Sequence, residues 1–64
     1  MYIKNNNMKK EIQDLINQLM IDNQKRSEDM RNPNISEYGH TVKVHEYNTT
    51  LDIIKKLETI LKKY

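Results

Sequence analysis

The last third of the chain repeats apolar residues at helical spacing almost without a break. Val44, Tyr47, Leu51, Ile54, Leu57, Leu61 and Tyr64 step by three or four, and Ile53 and Ile60 add a second line beside them. At 100° per residue the set covers about 200° of a helix, well beyond the ~100° stripe of an ordinary surface helix. Such a helix must be covered, and a chain of 64 residues buries only a modest share of its surface when it folds alone. Binding is therefore the first expectation from this pattern.

Composition sharpens that expectation. The chain has no Cys, so neither a disulfide nor a Cys-based zinc site can staple it. It has no Phe or Trp, which leaves Ile, Leu, Met, Val and Tyr for a core. Ordering the chain costs on the order of 100 kcal/mol, and apolar burial must offset nearly all of it. A lone two-helix hairpin barely manages this, so self-association or a bound partner is expected. Eleven basic and nine acidic residues give a net charge of +2, without the excess of a strongly basic nucleic-acid binder. No apolar run reaches the length of a membrane span, and the polar start (Lys4, Asn5, Asn6, Asn7) is unlike a secretory signal. The expected setting is soluble and cytoplasmic. Eight Asn, nine Lys and eight Ile, all with AT-rich codons, point to an AT-rich source such as a low-GC bacterium, its phages or its plasmids.

Along the chain, residues 1–6 show no helical period and read as a frayed tail or a short strand. Asn7 is a candidate N-cap. From there Met8, Ile12, Leu15, Ile16 and Leu19 share one helical face, with Met20 at its edge. The charge pairs Lys10–Asp14, Asp22–Arg26 and Lys25–Asp29 support the same helix at i,i+4 spacing. After Leu19 the stripe weakens: Asn23 and Arg26 take positions that should be apolar, and Ile21 points away. That half is expected to face solvent or a partner. Asn32-Pro33-Asn34 ends the helix, because Pro33 lacks an N–H and restricts Asn32.

Residues 32–47 read as a connector in which Gly39 is free to take a positive φ. Within it, Thr41-Val42-Lys43-Val44-His45 alternates like a short strand, while Val44 and Tyr47 are also in phase with the helix that follows. Helix onset at 48, with Asn48-Thr49-Thr50 as its start and Thr49–Asp52 as a capping box, competes with onset at 41 or 42. The expected fold is mainly α: an antiparallel hairpin of helices 7–31 and 48–64, with 41–47 either strand or helix. The pairs Asp52–Lys56 and Glu58–Lys62 run acid-first, the better order.

Chemistry is sparse. His40 and His45 are turned about 140° apart on a helix, so no metal site and no cofactor are expected. Ser27 and Ser36 carry no nucleophile signature, and the single glycine excludes a phosphate-cradling loop. Lys55, Lys56, Lys62 and Lys63 could touch phosphates, but Asp52 and Glu58 dilute their field. Glu58 falls inside the apolar arc, so it must stay at the rim, paired with Lys62, or meet a partner's cation.

The stretch Tyr38-Gly39-His40-Thr41, then Lys43-Val44, Tyr47 and Leu51-Asp52-Ile53-Ile54, resembles the small aspartyl-phosphate phosphatases of the sporulation phosphorelay. The resemblance spans residues 38–54 and implies a helix–loop–helix that docks on a phosphorylated response regulator. The family's Ser-Gln-Glu-Leu-Asp signature is represented by Leu51-Asp52 alone, after Asn48-Thr49-Thr50. On that resemblance, Asp52 would promote loss of the phosphoryl group. The reading favoured by the residues themselves is a non-enzymatic module that binds stoichiometrically to itself, as a homodimer, or to a larger protein. A phage- or mobile-element-encoded inhibitor or adaptor is the natural instance, with a nucleic-acid-binding regulator as a further alternative. Ile53, Ile60 and Tyr64 are the expected anchors, with Tyr47 and Glu58 beside them.

Overall fold

The computed structural model describes the backbone of residues 2–63 and the side chains of residues 7–63. Tyr64, one of the expected anchors, lies outside the described residues. Two helices, α1 (Tyr2–Met30) and α2 (Glu37–Leu61), form an antiparallel hairpin with no strand among the described residues. The molecule measures 51 × 15 × 12 Å. Its radius of gyration of 15.2 Å exceeds the roughly 11 Å of a compact chain of this length, as a two-helix rod requires.

The mainly α hairpin agrees with the sequence expectation, but its boundaries differ. Helix α1 begins at Tyr2 instead of Asn7, so residues 2–6 are neither strand nor coil and Asn7 caps nothing. Extending an existing helix adds a hydrogen bond per residue without a new nucleus, and this stretch holds no Gly or Pro to stop it. At the other end the stop behaves as Pro33 demands. Arg31 and Asn32 donate to Glu28 and Asp29 in tight i→i−3 bonds. The Asn34 N–H then donates to Asn32 Oδ1 at 3.0 Å, an Asx turn. Ile35 N–H reaches Asn32 O at 3.2 Å, closing the turn.

The connector is therefore six residues, 31–36, and not 32–47. The onset of α2 is at Glu37, earlier than either expected position. Ser36 is its N-cap: extended at φ −71°, ψ 159°, it accepts the Gly39 N–H on its hydroxyl at 3.0 Å. Glu37 adds a first-turn acid where the helix dipole favours one. Gly39 takes no positive φ. It serves close approach instead, since a Cβ there would meet Ser36 Oγ at 3.1 Å and Ile35 Cγ1 at 3.3 Å.

Residues 41–47 are helical despite their β-branched alternation. Two features favour the helical period over local strand propensity. Val44 and Tyr47 turn inward and are half-buried, and the Thr41 hydroxyl donates to the Glu37 carbonyl one turn back. Asn48, Thr49 and Thr50 consequently sit in mid-helix, and the expected Thr49–Asp52 capping box does not exist.

The seam between the helices has two characters. Toward the open end it is aliphatic: Ile16 and Ile54 are fully buried, with Ile12, Leu19, Leu57 and Leu61 half-buried. Toward the loop it is polar. Asn23 is only 4% exposed and donates from Nδ2 to the Tyr47 carbonyl at 3.0 Å. Arg26 Nη1 donates to Asn23 Oδ1 at 3.0 Å and to the buried Thr50 Oγ1 at 3.3 Å. The loop-side half of α1, expected to face solvent or a partner, thus packs on α2 through a hydrogen-bonded trio. No buried side-chain N or O among the described residues lacks a partner. The anticipated intrahelical charge pairs give way to other partners. Gln18 donates to Asp22 at 3.1 Å, Arg26 turns into the seam, and the close ion pair among the described residues crosses it, Lys43 Nζ to Asp29 Oδ2 at 3.7 Å.

Candidate interaction surface

The Asp29–Lys43 ion pair and the Asn23–Tyr47 and Arg26–Thr50 hydrogen bonds set the register of the hairpin. That register carries Leu15 level with Leu57, so Leu15 stands between Ile53 and Ile60 of the neighbouring helix. On α1, Leu15 and Met20 fall on opposite sides of buried Ile16; on α2, Ile53 and Leu51 fall on opposite sides of buried Ile54. The hairpin therefore has two flanks.

One flank holds an open groove of about 320 Å³ that brings Met20, Gln24 and Ser27 of α1 beside Tyr47 and Leu51 of α2. Its floor is Asn23 and Ile54. The opposite flank carries Met8 and Leu15, seven residues apart on α1, and Ile53 and Ile60, seven apart on α2. These four are between 42% and 47% exposed, and no charged residue shares their heptad line within the open-end half. The line turns acidic toward the loop, where Asp22 and Asp29 continue it on α1 and Glu46 on α2. The Asp22, Lys25, Arg26, Asp29 and Lys43 side chains enclose a charged notch there.

The structure separates the expected site residues. Ile53 and Ile60 share one apolar edge, half uncovered by α1. Tyr47 is half-buried on the groove flank, and its backbone carbonyl is the acceptor for Asn23. Glu58 is exposed on that same side. Asp52 is exposed on the outer side of α2, in mid-helix and far outside the first turn. Lys55, Lys56, Lys62 and Lys63 are likewise exposed, as are His40 and His45. Among the described residues no three His, Asp or Glu side chains come together in a metal-binding group.

Sequence reasoning passed over Met8 and Leu15 as edge residues by assigning them to the core face. Their signal was the spacing itself. Met8 and Leu15 sit one heptad apart, and Leu15 immediately precedes the buried Ile16. No described helix is long and apolar enough to cross a membrane. Comparison of the chain with protein-family models, curated proteins and solved structures returned no match.

Proposed function

We propose that this chain is a small non-enzymatic protein-binding module that acts stoichiometrically through the edge formed by Met8, Leu15, Ile53 and Ile60. The supporting observation is that four apolar side chains from both helices stand on one flank, about half exposed, bordered by the exposed Glu11 and Lys56. Water-exposed apolar clusters of this kind mark binding surfaces when they join into one patch. The size and AT-rich codon bias of the chain suit an inhibitor or adaptor encoded by a phage or mobile element and acting on a larger host protein.

The test is capture from a low-GC bacterial lysate by the immobilised chain, with Ile53→Asp and Ile60→Asp alongside. Both variants should abolish capture while far-UV helicity largely survives. Equal capture by wild type and variants would place binding elsewhere and reject the reading.

A second reading draws on the exposed Asp52, which follows Leu51 on α2 beside the groove, and on the helix–loop–helix architecture that the phosphatase resemblance implies. Asp52→Ala should then abolish dephosphorylation of a response regulator without unfolding the hairpin. An unchanged phosphoryl lifetime in the presence of wild-type chain removes it.

A further inference from the structure

We infer that the groove flank, opposite the edge of Met8, Leu15, Ile53 and Ile60, is a second docking face that takes an acidic amphipathic helix of a partner protein. It does not rest on the reading of that edge, and each face can be tested without the other.

The groove has the length and lining that a helix needs. Its lining runs from Met20 to Ser27 on α1 and from Tyr47 to Ile54 on α2. Each stretch spans about 10 Å, or two helical turns. That length accepts apolar side chains at i, i+4 and i+7 of one helix, the helix-in-groove mode of recognition. Met20 is 48% exposed, and Ile21 beside it on α1 is 61% exposed. A helix laid there would cover both. Its apolar side chains would orphan nothing on the floor, because Asn23 already donates to the Tyr47 carbonyl and accepts from Arg26.

Charge gives the occupant its sign. At 100° per residue, Lys10 falls on the Met20 side of Ile16, while Lys55 and Lys62 fall on the Leu51 side of Ile54. Lys9 stands at the mouth of the seam between them, and all four lysines are exposed. Lys55 directly follows Ile54 of the groove floor, and Lys62 lies about 10 Å farther along α2. The acids of this flank are Glu58, among the lysines, and Glu28 at the loop end. Asp14 and Asp52 are turned about 160° from the seam, to the outer sides of their helices. Among the described residues no carboxylate stands within 4 Å of these four lysines; the close ion pair is Lys43 to Asp29, on the other flank. That other flank is balanced, since Asp22, Asp29 and Glu46 answer Lys25, Arg26 and Lys43.

An apolar groove continued by unpaired lysines fits a helix whose apolar residues enter the groove and whose acids continue the same face for about two turns beyond it. A nucleic-acid backbone would match the lysines but would offer nothing to Met20, Leu51 and Ile54.

The experiment is selection of a random peptide display library on the immobilised chain, followed by fluorescence anisotropy of the recovered peptides with wild type and variants. The expected peptides carry apolar residues at helical spacing with Asp or Glu continuing that face to one side, and their affinity falls as salt rises. Met20→Asp should weaken them at least about tenfold, and so should the double variant Lys55→Glu, Lys62→Glu. All three residues are exposed, so far-UV helicity should survive in both variants. Ile53→Asp, on the opposite flank, should leave peptide affinity unchanged. Peptides that lack acids, binding that survives Met20→Asp, or a selection that yields no binder overturns the inference. Peptides lost with Ile53→Asp and kept with Met20→Asp occupy the other edge, which overturns the groove as a docking face and leaves the binding-module reading standing. A single-stranded or duplex oligonucleotide that binds through Lys55 and Lys62 where acidic peptides do not makes this flank a nucleic-acid face, and that also overturns the inference.

Discussion

Asn23 occupies an inward position of α1 that the heptad spacing reserves for an aliphatic residue, one heptad after buried Ile16. Replacing it by Ala removes the donor to the Tyr47 carbonyl and one of two acceptors of Arg26. A neutral hydrogen bond contributes about 1 kcal/mol net, and one to a charged donor about 1.5–3. Neither partner is orphaned, which keeps the loss at the lower end. The Tyr47 carbonyl still serves the α2 ladder, and half-buried Arg26 keeps Thr50 Oγ1 and reaches water. With the side-chain volume also lost, Asn23→Ala should cost about 2 kcal/mol. Asn23→Leu loses the same bonds but gains apolar burial worth about 1.5–3 kcal/mol, which leaves it within about 1 kcal/mol of wild type.

The contrast between the two variants is the test. Urea and thermal unfolding followed by circular dichroism, at one fixed protein concentration, should lower the Ala variant's Tm by about 10 °C and barely move the Leu variant's. A buried Asn in a helical seam also selects one register over its competitors. Asn23→Leu should accordingly show a broader mixture of association states than wild type when mass is measured in solution. An Ala variant as stable as wild type would mean that the trio contributes nothing. A Leu variant that falls as far as the Ala variant would mean that the site cannot accept aliphatic volume, and the reasoning fails there.

Ser36→Ala removes the α2 cap and should cost about 1 kcal/mol, read as a drop in the urea midpoint without a change in slope. Gly39→Ala sets better helix propensity against the tight approach of Ser36 Oγ and Ile35 Cγ1, and stability should stay within about 0.5 kcal/mol of wild type. Lys43→Met breaks an exposed ion pair at 3.7 Å and should change stability by less than about 0.5 kcal/mol, with little dependence on salt. Nucleic-acid binding by the α2 lysines would show as an affinity that falls steeply with salt; a mobility shift insensitive to salt, or none, removes that role.

Two helices, their antiparallel pairing and the stop at Pro33 follow from the residues in order. Helical periodicity and a missing N–H act locally and do not depend on what packs against them. The same holds for the surplus of apolar surface on α2, since a 200° arc exceeds what one partner helix covers. The onset of α2 was less legible. Ser36 and Glu37 carry an ordinary cap signal, but Gly39 three residues later reads as a loop residue, and Thr41 to His45 alternate as a strand would while Val44 also keeps the helical phase. Only packing decides there, because Val44 and Tyr47 gain burial in the helical phase and the Thr41 hydroxyl finds the Glu37 carbonyl.

Tertiary structure also decided the meaning of the polar half of α1. Asn23 and Arg26 look like a face turned to water, and a sequence has no means of placing Tyr47 and Thr50 opposite them at hydrogen-bond distance. That placement depends on the register, which long-range contacts set. Their pairing puts the polar residues inside, closes one half of the seam, and leaves the aliphatic surplus concentrated on the edge of Met8, Leu15, Ile53 and Ile60. The sequence determined that this chain has more apolar surface than it can bury; the register of two helices decided where that surface stands.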